Sequence, residues 1–169
     1  MTRRHAVVPT ELGELTMVAD GDRLAAIYFP AHWHLPPESD YGEATTPDDP
    51  LFVRTARELD EYTAGERRAF DIPIVTNGDD FSEKVWALLL EIPYGATTTY
   101  GALATRLGNP RLAQRVGQCV GHNPISVIIP CHRVIGADGS LTGYAGGLDR
   151  KRRLLEIEEP PEVAASRLF

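Results

Sequence analysis

A chain of 169 residues, 43% hydrophobic and 24% charged, has the composition of a soluble globular protein, long enough to bury a core in one domain or two small ones. No window reaches the apolar length of a membrane span, and Met1-Thr2-Arg3-Arg4-His5 leads into no signal-type apolar region. Two cysteines, Cys119 and Cys131, are too few for a disulfide framework and lack zinc-ligand spacing; a working thiol points to the reducing cytoplasm.

The net charge of −7 is unevenly spread. Residues 1–80 carry 7 Arg and no Lys against 16 acids, for −9, whereas residues 81–169 carry 10 bases against 8 acids, for +2. Between Thr98 and Arg153, 8 bases meet 2 acids, for +6. The second half can therefore turn a basic face to phosphate while the first half faces away.

From Ala6 to Pro30 the chain reads as strands, with Glu14–Ala19 and Leu24–Phe29 flanking a hairpin turn at Asp20-Gly21-Asp22-Arg23. Ala31–Pro50, rich in Pro and acid without periodicity, reads as a long surface loop. His32 and His34 sit at strand spacing within it, but no cysteine lies nearby and the context is irregular, so no metal is expected. Asp49-Pro50 followed by Leu51, Phe52, Thr55, Ala56, Leu59 and Tyr62 marks an amphipathic helix that stops before Gly65; none of its residues suggests chemistry. Asp71–Val75 reads as a further strand. Asn77-Gly78-Asp79-Asp80 is the expected linker, dividing the chain at about 76–81 into units 1–77 and 81–169.

Ser82 can cap a helix with Val85, Trp86, Leu88, Leu89 and Ile92 inward, ended by Pro93 and Gly95. Thr98 or Thr99 caps a short helix through Leu107, with Gly108 at its C-terminal end. Asn109-Pro110 restarts a helix that runs to about Val120, with Ala113, Val116 and Val120 on one face and Arg111, Gln114, Arg115 and Gln118 on the others. Two short helices joined by a Gly-Asn-Pro turn, with Ile125–Ile129 as a buried strand behind them, suggest a helix-turn-helix of winged type.

That β-branched run leads straight into Pro130-Cys131-His132-Arg133-Val134, and Pro130 should end it. Cys131 is open to two readings: a buried structural thiol, or a nucleophile in a basic, hydrogen-bonding neighbourhood. Adjacency to His132 does not decide, because consecutive strand side chains face opposite ways. Glu158 is equally open. It should end a helix beginning near Asp149, where the macrodipole disfavours a carboxylate, so it is either a solvated acid beside Glu156 and Glu159 or one with a cationic or N–H partner. Arg150-Lys151-Arg152-Arg153 opens the same helix against the dipole, which fits a phosphate-facing run or a solvated face.

The pentapeptide does not stand alone. Ile92-Pro93-Tyr94-Gly95, Thr99-Tyr100-Gly101, Asn109-Pro110, Gly121-His122-Asn123-Pro124, Gly143-Tyr144-Ala145-Gly146-Gly147 and Leu154–Glu158 accompany it in order. Together they resemble the O6-alkylguanine-DNA alkyltransferases, the methylated-DNA–protein-cysteine methyltransferases, over nearly everything from Phe81 to Glu158. Leu59–Gly65 and Phe70–Pro73 resemble that family's first domain. The resemblance implies an α/β (α+β) protein: a small, ribonuclease-H-like mixed α/β domain followed by a winged helix-turn-helix-like domain. It implies a stoichiometric, self-inactivating DNA repair protein, a monomer without a cofactor. Its partner is double-stranded DNA carrying O6-alkylguanine, with O4-alkylthymine a second substrate.

By the same resemblance, Cys131 takes the alkyl group from a flipped-out base, a task suited to a soft thiolate. His132 is its base, acting through a water and oriented by Glu158, and this pairing predicts a thiol more reactive below pH 8 than free cysteine. Tyr100 matches a tyrosine that protonates the departing base, and Asn123 an asparagine linking the recognition helix to the active-site segment. Tyr144, Ala145 and Gly146, with Val134, match the substrate pocket; Arg111, Gln114, Arg115 and Thr99 match the DNA-facing positions. One departure stands out: relatives carry an arginine at the position of Gln114. A one-residue step turns a side chain by roughly a quarter turn on a helix, so Arg115 is not an automatic substitute. The competing classes are a non-transferring lesion-binding or regulatory protein, against which Cys131 itself counts, and a thiol hydrolase, which leaves the helix pair unexplained.

Overall fold

Short-range turn chemistry and alternation build the first half. The computed structural model describes residues 3–32 and 35–159, so His34 lies outside the described residues. Strands β1 (Arg3–Thr10), β2 (Gly13–Asp20) and β3 (Arg23–Tyr28) form an antiparallel meander, with Gly21 at φ 62 in the β2–β3 turn. β1 buries Ala6 and Val8 and exposes Val7, as a strand with one covered face should.

The 31–50 segment is not wholly irregular. A 3-10 turn over Glu38–Tyr41 leads into β4 (Glu43–Ala44), which adds to β1 in parallel and completes the sheet order β3-β2-β1-β4. Gly42 makes that approach possible: its φ is +80, and a Cβ there would lie 2.2 Å from the Arg3 carbonyl oxygen. Two residues of pairing are too short a run for alternation to reveal.

Helix α1 (Pro50–Thr63) begins where Asp49-Pro50 places it. The Asp49 carboxylate caps Leu51 N–H and pairs with Arg4 Nε of β1 at 2.5 Å, while Phe52, Leu59 and Tyr62 are fully buried beneath the sheet. Asp71–Val75 does not form a strand. It makes one bridge, in which Leu24 N–H donates to Pro73 O at 2.8 Å and Val75 N–H donates to Leu24 O at 2.9 Å. Pro73 has no N–H with which to extend a ladder.

In the second half, α2 (Asp80–Leu90) is capped by Asp79, whose carboxylate accepts from Ser82 N–H at 2.8 Å; Ser82 is inside the helix and not its cap. β5 (Thr98–Thr99) precedes α3 (Tyr100–Arg106), and of the two threonines it is Thr99 whose Oγ1 caps the helix at Ala102 N. Asn109 caps a 3-10 turn (Pro110–Leu112) that runs into α4 (Ala113–Gly121), and α3 and α4 pack together as a helix-turn-helix pair. β6 (Val134–Ile135) pairs in parallel with β5, and α5 (Leu148–Glu158) closes the described chain.

The strand expected over Ile125–Ile129 is absent. Val127 takes φ 73, and Ile128 N–H donates to Ser126 O at 2.9 Å, a γ-turn that a β-branched residue adopts only under constraint. Three constraints act. Ile27 N–H of β3 holds Pro124 O at 2.9 Å and pairs Ile27 with Ile125; Ile129 N–H closes on Ile125 O at 3.0 Å; and the Asn123 side chain holds both ends.

The larger of two hydrophobic clusters among the described residues, from Ala6 to Leu154, unites the sheet, α1, α2, α4 and the active-site turn. Where the halves meet, Gly146 is needed: a Cβ there would lie 2.5 Å from the Phe29 ring. No described helix is long and apolar enough to cross a membrane.

Candidate active site

Cys131 is placed by two successive tight turns. The γ-turn at Val127 folds the Ile125–Ile129 run back on itself. Pro130 (φ −81, ψ 63) then makes an inverse γ-turn in which Cys131 N–H donates to Ile129 O at 2.8 Å. Asn123 locks the assembly from the end of α4. Its Nδ2 donates to Ile129 O at 2.8 Å and its Oδ1 accepts from Ile125 N at 3.0 Å, so one buried amide satisfies both backbone groups that the missing strand leaves behind. Cys131, His132 and Arg133 follow as a single buried 3-10 turn that presents three side chains in different directions.

Glu158 is the electrostatic hub. Its carboxylate is 2% exposed and takes four hydrogen bonds: Arg133 Nε to Oε1 at 2.7 Å, and Arg133 Nη2 (2.9 Å), His132 Nε2 (2.7 Å) and Tyr62 Oη (2.5 Å) to Oε2. Burial alone would raise its pKa, but the hydrogen bonds from His132 and Arg133, with the attraction of His132, hold it down at about 2. The carboxylate is therefore ionised and only accepts, which puts the proton of His132 on Nε2. Burial first, with the Arg133 and Lys151 charges, lowers His132 by more than Glu158 raises it, so the ring is neutral at pH 7. Its Nδ1, buried and without a partner, is left as a basic lone pair.

The thiol itself is not ionised at rest. Burial raises the Cys131 pKa above its ordinary value, against the smaller favourable effects of Asn123 and Lys151. This corrects the expectation of a thiol more reactive below pH 8 than free cysteine. Desolvation wins because Cys131 is 5% exposed and the Lys151 charge and the Asn123 hydrogen bond offset only part of that cost.

The remaining expected residues divide into two groups. Tyr144 and Ala145 are buried, and Tyr144 Oη, close to Cys131 and Ser126, makes no hydrogen bond of normal geometry. Gly146 packs on Phe29, and Val134 is fully buried. Tyr100 lies at the start of α3, with its ring 3.6 Å from where a Cβ on Gly117 of α4 would be and its hydroxyl 2.8 Å from Thr142 Oγ1. Arg111 in the 3-10 turn before α4, and Gln114 and Arg115 on α4 itself, are exposed. Arg115 turns back toward α2, its guanidinium 3.8 Å from the centre of the Phe81 ring, so it does not stand in the direction of Gln114.

Three residues of the site were not read from the sequence. Arg133 decides between the two readings of Glu158, as the cationic partner that the helix-end argument allowed without naming. Tyr62, on α1, was read as core alone. The Arg150–Arg153 run fits a phosphate-facing or a solvated face, but Lys151 is 1% exposed and donates to Val134 O at 2.6 Å and Thr142 O at 3.1 Å. Burial lowers its pKa to about 8. Arg150 likewise turns inward, to Gly146 O at 2.8 Å and over the Phe29 ring, which leaves Arg152 and Arg153 as the exposed part of that run. With Arg133 and Lys151 inside, two of the eight bases between Thr98 and Arg153 serve the interior and not the surface.

The chain is similar to known proteins along nearly its whole length. Residues 4–76 match the family model for the 6-O-methylguanine DNA methyltransferase ribonuclease-like domain, and residues 80–160 match that for the DNA binding domain. The methylated-DNA--protein-cysteine methyltransferase of Mycobacterium bovis is 41% identical over 165 residues, 98% of each chain. That of Methanosarcina acetivorans is 38% identical over 154 residues, 91% of this chain and 97% of the other. The crystal structure of Mycobacterium tuberculosis OGT in complex with DNA superposes with a TM-score of 0.84 at 41% identity, covering 92% of each chain. Two adjoining domain matches and relatives aligned almost end to end leave one assignment: this chain belongs to the 6-O-methylguanine DNA methyltransferase family.

Proposed function

We propose that the protein repairs DNA by transferring the alkyl group of O6-alkylguanine, and of O4-alkylthymine, to Cys131, one turnover per molecule. The observation that carries this reading is the buried relay in which neutral His132 offers its unpartnered Nδ1 while Nε2 is held by an ionised Glu158. As the Sγ–alkyl bond forms and the alkyl–O6 bond breaks, the thiol proton passes by way of a water to His132. Glu158, fixed by Arg133, stabilises the resulting imidazolium. The electron pair of the broken bond stays with the base, which takes a proton from Tyr100. A resting thiol raised by burial fits this concerted demand: the proton leaves when the electrophile arrives, and the site does not waste itself on solvent electrophiles.

Asn123 and the inverse γ-turn at Pro130 fix where Sγ stands. Tyr144, Ala145, Gly146 and Val134 form the wall against which a flipped base rests. Arg111, Gln114, Arg115 and Thr99 lie on the DNA side, and units 1–77 and 81–169, a division supported by family matches over residues 4–76 and 80–160, separate the support from the reacting domain. A reduced Cys131 fits the cytoplasm.

The test is mass spectrometry of intact protein and peptides after incubation with duplex DNA carrying O6-methylguanine. One methyl group on Cys131 and none on Cys119 is expected, with Cys131→Ser inert. A methyl group on Cys119, or no transfer by folded protein, refutes the assignment.

A further inference from the structure

Glu158 Oε2 is shared by three donors from three parts of the chain: His132 Nε2 at 2.7 Å, Arg133 Nη2 at 2.9 Å and Tyr62 Oη at 2.5 Å. Oε1 takes one, Arg133 Nε at 2.7 Å. Tyr62 belongs to α1, in the half of the chain that contributes nothing else to this relay, and it is fully buried. An ionised carboxylate only accepts, so Tyr62 donates. Burial and the neighbouring Glu158 charge both raise the phenol pKa, which keeps its proton in place. A proton donated to Oε2 draws off negative charge that would otherwise stabilise a proton on His132.

We infer that Tyr62 is a positioning residue through which the N-terminal domain sets the basicity of His132, by sharing the carboxylate oxygen that orients the imidazole. It acts through Glu158 and not on the reacting atoms, and it rests on the relay proposed above. The charged and titratable groups around His132 are Glu158 and Lys151 from α5, Cys131 and Arg133 from its own turn, Tyr62 from α1, and Tyr94, which faces Glu158 and Arg133. Glu158 favours a proton on His132, Arg133 and Lys151 oppose it, and Tyr62 opposes it by weakening Glu158. Without the hydroxyl, Oε2 keeps more charge for His132 and the ring binds its proton more tightly. The Tyr62 ring packs on Phe70 and Tyr94 at 5.5 and 6.3 Å between centroids, contacts that phenylalanine retains.

The experiment is the pH profile of alkyl transfer from free O6-benzylguanine to the full chain, wild type against Tyr62→Phe, from pH 5 to 9; the free base removes DNA binding from the readout. The acid limb should move to higher pH by about half a unit or more, a loss of roughly three-fold on the limb itself, with rates above pH 8 equal to wild type or higher. The His132 ring resonances, followed by NMR titration, should move in the same direction independently of activity. A packing role alone scales the rate equally at every pH and leaves the limb in place; that result, or a limb displaced to lower pH, overturns the proposal. If wild type transfers the alkyl group and its rate does not fall with the protonation of His132 that the NMR titration reports, the His132 relay is wrong and Tyr62 falls with it. If wild type transfers with a normal limb and Tyr62→Phe leaves it unmoved, the relay stands and Tyr62 alone is refuted.

Discussion

Glu158→Gln removes one negative charge from a site that holds a buried guanidinium, and the consequence can be worked out in two ways. The first is linkage. Burial works against the carboxylate, yet its hydrogen-bond donors hold the folded pKa at about 2 against an ordinary 4.5. A gap of that size corresponds to roughly 3 kcal/mol of stability that a neutral amide cannot supply. The second is the cost of breaking a buried ion pair, here leaving Arg133, 7% exposed, without its counter-charge; such losses run to about 3–5 kcal/mol. The two routes agree, and for a chain of this size they predict a melting temperature lower by on the order of 10 °C at pH 7. The sign with pH follows from the depressed pKa. The contribution is complete above pH 4.5 and is lost as pH falls toward 2, so the gap between wild type and variant should narrow across that window. Urea unfolding of both proteins at pH 7, 5, 4 and 3 measures it. A gap below about 1 kcal/mol at pH 7, or one that stays constant down to pH 3, would refute the picture of Glu158 as a buried, ionised hub.

Further outcomes are expected at the turn and at the helix-turn-helix pair. Asn123→Ala strands Ile125 N–H and Ile129 O in the interior, which should cost about 2–3 kcal/mol in urea unfolding and slow transfer from O6-benzylguanine by at least about ten-fold. Val127→Gly should be at least as stable as Val127→Ala, the reverse of the usual order, because glycine releases strain of about 1–3 kcal/mol at φ 73; a clearly less stable glycine variant means no strain is stored there. Iodoacetamide should alkylate Cys131 at pH 7 more slowly than it alkylates glutathione, since burial raises the thiol pKa; faster alkylation contradicts the buried-thiol account. Gln114→Arg should speed repair in duplex DNA while leaving the free-base reaction unchanged, and Arg115→Ala should do little, since Arg115 rests on Phe81. The opposite pattern would make Arg115 the residue that enters the duplex.

Features held by contacts within a few residues were legible in the sequence. Asp49-Pro50 and Asn109-Pro110 started their helices because a cap and a proline at the first helical position act locally. Gly108 ended α3 in the left-handed region for the same kind of reason. The order of motifs around Cys131 and Glu158 identified the family, while the macrodipole argument left Glu158 open between a solvated acid and a partnered one. Other features depended on distant chain. Ile125–Ile129 has the composition of a strand, but Ile27 of β3 and the Asn123 amide bind its backbone groups first, and local β-propensity gave way to tertiary hydrogen bonds. Charge along Arg150–Arg153 was visible, yet only the packing of α5 shows that Lys151 and Arg150 turn inward while Arg152 and Arg153 face solvent. Tyr62 had no local signature beyond a helical apolar position, because its partner lies 96 residues away. Periodicity reports which face of an element is buried; it carries no information about which side chain from elsewhere will meet that face, and only the closed tertiary structure brings the Tyr62 hydroxyl to Glu158.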